Sequence, residues 1–142
     1  MKVSIITITY NAENTIFNSL NSVFSQSHKN IEHIIIDGGS KDNTLKTCKN
    51  FPHISKIVSE PDKGVYDAFN KGLKLATGDI IGFLNADDVF FNKNSVQEIV
   101  NAFLNNETDI VYGNLDYVNE EGKVIRNWTS KPYETGLVKK AW

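Results

Sequence analysis

The sequence predicts an α/β fold, a mostly parallel sheet flanked by helices, on three observations. Short β-branched or apolar runs alternate with longer amphipathic stretches four times. The run at 80–84 is nearly continuously hydrophobic, as a parallel strand buried on both faces is. A polar, glycine-containing or acidic cluster follows each run, where turns out of a parallel sheet belong.

Val3 to Thr9 is β-branched almost throughout and reads as the first strand, ended by Tyr10-Asn11. Ile16, Phe17, Leu20, Val23 and Phe24 recur at helical spacing. Ile31 to Ile36 is a second strand closed by Asp37-Gly38-Gly39-Ser40. Asp42 or Asn43 then caps a helix carrying Leu45 and Cys48, which Pro52 stops. Ile54, Ile57 and Val58 form a third strand before Glu60-Pro61-Asp62-Lys63-Gly64. The next helix buries Val65, Ala68, Phe69, Gly72, Leu73 and Ala76, and Gly78 ends it as a C-terminal glycine. Its other face, with Tyr66, Asp67, Asn70, Lys71 and Lys74, reads as solvated.

Ile80 to Leu84 is the fourth strand and runs into Asn85-Ala86-Asp87-Asp88. Ser95 stands three residues before Glu98 at capping-box spacing, ahead of an apolar stripe from Val96 to Leu104. Asp109 to Tyr117 is strand-like, and Glu120-Glu121-Gly122 turns the chain into Lys123 to Trp128. No repeat or linker divides the 142 residues, so one domain over 1–142 is expected.

Composition narrows the function. A net charge of −2 gives no electrostatic footprint for nucleic acid. The three histidines are scattered, and none reads as a metal ligand. The single Cys48 has no partner for an intrachain disulfide, which fits a reducing compartment. There is no transmembrane-length apolar run and no secretory signal pattern after Met1-Lys2, so the expected location is cytoplasmic.

Right-handed crossovers place every strand-end loop on one edge of the sheet, where ligands of open α/β sheets bind. Four polar clusters are thereby brought together: 9–11, 37–40, 60–64 and 85–88. The edge is rich in carboxylates and lacks a His or Cys cluster, which suits Mg²⁺ or Mn²⁺ held partly by substrate phosphates. Adjacent Asp87 and Asp88 repel each other, and a divalent cation relieves that repulsion. GxGxxG and GxxxxGK[ST] motifs are missing, which disfavours dinucleotide dehydrogenases and P-loop NTPases. A receiver domain is disfavoured because the first strand ends in Tyr10-Asn11 instead of acids.

These motifs together resemble family-2 glycosyltransferases, inverting enzymes of the GT-A (Rossmann-like) fold that use nucleotide sugars. The resemblance runs through 5–11, 36–44, 70–72, 76–79 and 84–88 in order and spacing. Ser59 to Ala68 is similar to enzymes of bacterial surface and capsular polysaccharide assembly. The resemblance implies that Thr9 and Tyr10 line the base pocket with Asn11 beside them, that Asp37 holds the uracil N–H, and that Asp62 lies against the nucleoside. It extends substrate contacts to Gly38, Ser40, Lys63, Gly64 and Asn70. Asn85-Ala86-Asp87 occupies the D-x-D place, with Asp87 as metal ligand and Asp88 following. Asn85 replaces the usual first acid, and Phe69 stands where many relatives carry Arg.

The implied partners are a UDP-sugar donor and a glycan or lipid-linked saccharide acceptor. An inverting transfer needs a general base, which in the family lies well downstream of D-x-D. Glu120, Glu121 and Glu134 are acids outside any recognisable base motif, so the catalytic base is expected beyond residue 142. The reading is therefore a nucleotide-sugar-binding part lacking its acceptor half. The alternative is a sugar-nucleotide-binding fragment with no transfer activity of its own. Apolar surface bared by such a truncation leaves homodimerisation and peripheral membrane association as expected self- and surface-contacts.

Overall fold

The computed structural model describes residues 1–131. The chain divides into two compact units, Met1–Asn105 and Asn106–Trp142. The first contains strands β1 (Val3–Thr9), β2 (Ile31–Asp37), β3 (Ile54–Ser59) and β4 (Ile80–Phe83). Its helices are α1 (Ile16–Phe24), α2 (Thr44–Lys49), α3 (Val65–Leu75) and α4 (Ser95–Asn105). The strands pair in parallel in the order β3-β2-β1-β4. The expected fold class is the observed one.

Alternation along the central strands decides which helix packs where. On one face Val3, Ile5 and Ile35 bury against Ile16, Leu20 and Val23 of α1, Cys48 of α2, and Val96 and Val100 of α4. On the other, Ile6, Ile34 and Ile36 bury against Ala68 and Leu75 of α3. The crossover through α3 carries the chain from one outer strand to the other. β1 is therefore the point where the strand order reverses.

Several sequence readings change in physical detail. Gly78 is not a left-handed helix cap; α3 ends at Leu75 with Ala76 extended. A Cβ at Gly78 would lie 2.6 Å from the Ser4 backbone nitrogen and 2.9 Å from the Lys2 carbonyl, so close approach to β1 demands the glycine. Ser95 is the first residue of α4 rather than its cap; its Oγ accepts the Asn92 N–H at 3.2 Å, and the Glu98 N–H goes to the Asn94 carbonyl at 2.8 Å. Asp42, not Asn43, supplies the side chain at the start of α2, accepting the Thr44 N–H at 3.0 Å.

Two polar groups are built into the first unit. Glu32, beside Ser4 in register, accepts from Ser4 Oγ, Lys2 Nζ, and the Thr77 N–H and hydroxyl at 2.6–3.0 Å. This knot ties the strand entering the sheet to the turn before β4. His33 lies fully buried between Thr7 Oγ1 and His53 Nε2, each 3.0 Å away, with Phe24 and Phe51 stacked around His53. The histidines expected to be scattered thus include a pair. Their contact joins β2 to the turn before β3, twenty residues away, and has no local pattern in the sequence.

In the second unit, β5 (Leu115–Val118) pairs antiparallel with β6 (Val124–Trp128). Asn119 closes the turn by accepting the Glu121 and Lys123 N–H groups, and Gly122 takes a left-handed φ of 77°. The strand expected from Asp109 begins only at Leu115 because residues 109–114 have no pairing strand among the described residues. Glu120 and Glu121 are exposed at this turn; Glu134 lies outside the described residues. Among the described residues no helix is long and apolar enough to cross a membrane.

Candidate functional site

The carboxyl ends of β1 and β4 flank the reversal in strand order, the place where open α/β sheets bind ligands. Leu84 N–H donates to the Ile6 carbonyl at 3.0 Å, so the chain leaves β4 toward the acidic loop alongside the middle of β1.

The loops after β1 and β2 are fastened to each other by side chains. Asn11 adopts a left-handed φ of 48°, a conformation asparagine tolerates. Its N–H donates to Ser40 Oγ and its Oδ1 accepts the Lys41 N–H, both at 2.8 Å. Ala12 N–H donates to Thr44 Oγ1 at 2.8 Å, Glu13 N–H to Asp42 at 3.1 Å, and Asn43 N–H to Glu13 at 2.9 Å. Asn11 and Ser40 thus serve as frame residues of the rim.

Asp37 also turns inward. It is fully buried, and its Oδ2 accepts the Gly39 N–H at 3.1 Å, the Ser40 N–H at 3.0 Å and the Ser59 hydroxyl at 2.6 Å. Its Oδ1 accepts the Ser40 hydroxyl. The carboxylate holds the loops after β2 and β3 in one arrangement.

Tyr10, Gly38 and Asp62 meet at the surface. A Cβ on Gly38 would stand 2.7 Å from Asp62 Oδ2 and 3.4 Å from the Tyr10 ring. Asp62 Oδ1 accepts the Gly64 N–H at 2.9 Å, and Gly64 has a φ of 107° that favours glycine. The Tyr10 ring is 64% exposed, an aromatic face open to a planar ligand. The preceding Thr9 hydroxyl is buried and has no partner among the described residues. Such an orphan calls for an explanation.

The acidic corner is organised by what is not acidic. Ala86 is buried against the α1 side of the sheet, and Ser19 Oγ donates to the Asn85 carbonyl at 3.1 Å. Asn85 Nδ2 donates to Asp88 Oδ2 at 2.9 Å, so the asparagine in place of an acid satisfies its neighbour instead of repelling it. Asp87 is left exposed between them. Among the described residues no group of three His, Cys, Asp or Glu could hold a metal ion. The donor set is all oxygen and fits a hard cation that takes its remaining ligands from water and phosphate.

Asn70 is exposed on α3, and the Lys63 N–H donates to Asp67 Oδ2 at 3.1 Å. Phe69, at the position where the family resemblance implies Arg, packs on Phe83 with ring centroids 4.5 Å apart. Lys71, read as a solvated face, instead bonds Glu60 at 2.9 Å, Pro61 O at 3.1 Å and Asp67 at 3.4 Å. The Glu60 and Asp67 bonds raise its pKa, and Asp67 is lowered chiefly by the Lys63 N–H. The acids four residues before Lys71 and ahead of Pro61 were the available signal.

The family model described as glycosyl transferase family 2 matches residues 4–141. The chain belongs to that family. It is 36% identical over 124 residues, 86% of this chain, to the Escherichia coli UDP-Glc:alpha-D-GlcNAc-diphosphoundecaprenol beta-1,3-glucosyltransferase WfgD, of which it covers 49%. An uncharacterised glycosyltransferase of Nostoc sp. is 34% identical over 88% of this chain and 40% of its own length. Staphylococcus aureus TarS, solved in complex with UDP, superposes with a TM-score of 0.67 at 31% identity, over 74% of this chain and 32% of the TarS chain. The family-2 chain thus spans half or less of the length of these relatives. A Pyrobaculum calidifontis mannosyltransferase solved with GDP-Man and Mn²⁺ shares the fold at 24% identity and a TM-score of 0.68 over 84% of this chain and 36% of its own.

Proposed function

We propose that this chain is the donor-binding part of a metal-dependent, inverting glycosyltransferase that takes a nucleotide diphospho-sugar, UDP-sugar first, and serves polysaccharide assembly. The observation behind the reading is the meeting of Tyr10, Gly38 and Asp62 at the sheet edge, with an exposed Asp87 in the loop after β4, the strand next to β1. Tyr10 stacks on the base, Asp62 accepts from the nucleoside, and Thr9 finds its partner in the bound donor. Asp37, Asn11 and Ser40 hold the rim from beneath, and Lys63, Gly64, Asn70, Asn85 and Asp88 border it.

Asp87 would hold Mg²⁺ or Mn²⁺ together with the donor phosphates. Such an ion acts as a Lewis acid that neutralises a diphosphate leaving group. The acceptor, a glycan or lipid-linked saccharide, and the base that deprotonates it are assigned to chain beyond this donor part. Location in the cytoplasm and self-association belong to the same reading.

The test is thermal unfolding with and without UDP and Mn²⁺. Ligand binding at a hundred times Kd stabilises by about 2.7 kcal/mol, a shift of several degrees for a domain this size. Asp87→Ala is expected to remove the metal-dependent part of that shift. An unchanged melting curve at millimolar UDP and Mn²⁺ overturns the proposal. A second reading, a binding fragment without transfer activity, is favoured by the share of relatives' length that the chain spans. It predicts the same shift with neither transfer nor UDP-sugar hydrolysis.

A further inference from the structure

The loop carrying Asp62 is held at both ends and in its middle. At its start the Glu60 N–H donates to the Asp37 carbonyl at 3.0 Å. At its end the Lys63 N–H donates to Asp67 and the Gly64 N–H to Asp62. In the middle stands Pro61, which has no N–H to give, so its carbonyl is the main-chain handle there. Lys71 takes that handle at 3.1 Å while its ammonium pairs with Glu60 at 2.9 Å and Asp67 at 3.4 Å. The Lys71 side chain is only 21% exposed, and its charge is matched by two carboxylates of the unit it braces.

We infer that Lys71 is a positioning residue for the donor nucleoside: it pins Glu60 and Pro61 so that the next residue, Asp62, stands over Gly38 beside Tyr10. This rests on the donor-binding reading above. The argument is one of connectivity. Asp62 follows the pinned carbonyl directly, and its Oδ2 stands over Gly38, close enough that a Cβ there would come within 2.7 Å. Freeing the ammonium lets the loop sample other arrangements, and the ordering cost then falls on binding. A lysine engaged by three acceptors of its own unit is not the group that meets the diphosphate. Its effect on binding is therefore the same whether or not phosphates are present.

The experiment is titration of the full chain with uridine and separately with UDP plus Mn²⁺, by NMR or calorimetry, for wild type, Lys71→Met, Lys71→Arg, Glu60→Gln and Lys74→Met. Lys71→Met is expected to weaken uridine and UDP by the same factor, about tenfold. Lys71→Arg should recover most of the loss, since a guanidinium still donates to a carbonyl and carboxylates. Glu60→Gln changes an exposed side chain, leaves folding intact and should weaken both ligands about threefold. Lys74→Met, on the same helix, should leave both unchanged. UDP weakened with uridine unaffected would make Lys71 a phosphate contact and overturn the inference, as would no change in either ligand. Wild type that binds neither ligand sinks the donor-binding reading itself, an outcome distinct from those two.

Discussion

Replacing Glu32 by Gln removes one charge at the edge of the sheet away from the proposed donor site and tests how that edge is held. The carboxylate is 8% exposed and accepts from Ser4 Oγ at 2.6 Å, Thr77 N–H at 2.8 Å, Thr77 Oγ1 at 2.9 Å and Lys2 Nζ at 3.0 Å. All four approach as donors. An amide keeps one acceptor oxygen and turns two hydrogens toward groups that also donate. At least two charge-assisted bonds are lost, at about 1.5–3 kcal/mol each, less what water recovers at the partly open Lys2 side. The expected cost is about 3 kcal/mol, within the range for removing one partner of a buried ion pair. By urea unfolding at pH 7 this appears as a lower midpoint with an unchanged slope.

The pH dependence sharpens the test. Burial raises the Glu32 pKa, but the bonds from Ser4, Thr77 and Lys2 outweigh it and bring the group from 4.5 down to about 2. The folded-state pKa is the lower one, so the stabilisation is complete above pH 4.5 and disappears as pH falls from there toward 2. The gap between wild type and Glu32→Gln should therefore narrow across that window. A gap under about 1 kcal/mol at pH 7, or one independent of pH below 4.5, would refute the assignment.

Other outcomes follow from single contacts. His33 is held well below 6.5, to about 3, first by burial and then by repulsion from His53. Below pH 6.5 the unfolded chain takes up protons that the folded one refuses, so about 1–2 kcal/mol should be lost by pH 5.5; equal urea midpoints at pH 7.5 and 5.5 would contradict this. Gly72→Ala places a methyl on Ile6 Cγ2, where α3 lies against β1. Crowding should exceed the helix-propensity gain and cost about 1–2 kcal/mol by urea unfolding, whereas a more stable variant would show that the helix shifts freely. Gly38→Ala presses on the flexible end of Asp62 and touches the Tyr10 ring at ordinary contact distance, and should cost under about 1 kcal/mol of stability while lowering UDP affinity about fivefold. Unaltered UDP affinity in that variant would separate Asp62 from the nucleoside.

What could be read from the sequence was what depends on short range. The β-branched runs gave the strands, their continuity gave a buried parallel sheet, and the spacing from Ile16 to Phe24 gave the first helix. The edge that collects the loops also followed, because strand alternation and crossover handedness decide it. What stayed hidden depends on register. Glu32 meets Ser4 through the β1–β2 register, and Thr77 and His53 reach Glu32 and His33 from the turns that lead into β4 and β3. The same holds within the site. Asn11, Asp37 and Ser40 are small polar residues at strand ends, a type equally suited to binding a ligand and to closing a turn. Their hydrogen bonds show them holding loops together. Gly78 and Lys71 illustrate the limit of local rules, since a helix-end glycine and a helix-face lysine each act on a distant segment of chain.

A crystal structure of the chain with UDP and Mn²⁺ tests the donor-site assignment most directly. The prediction is uracil on the Tyr10 ring with Asp62 within hydrogen-bond reach of the nucleoside and one Asp87 oxygen on the metal at about 2.1 Å. Nucleotide bound away from the carboxyl ends of β1 and β4, or a metal ion that Asp87 does not touch, would contradict it.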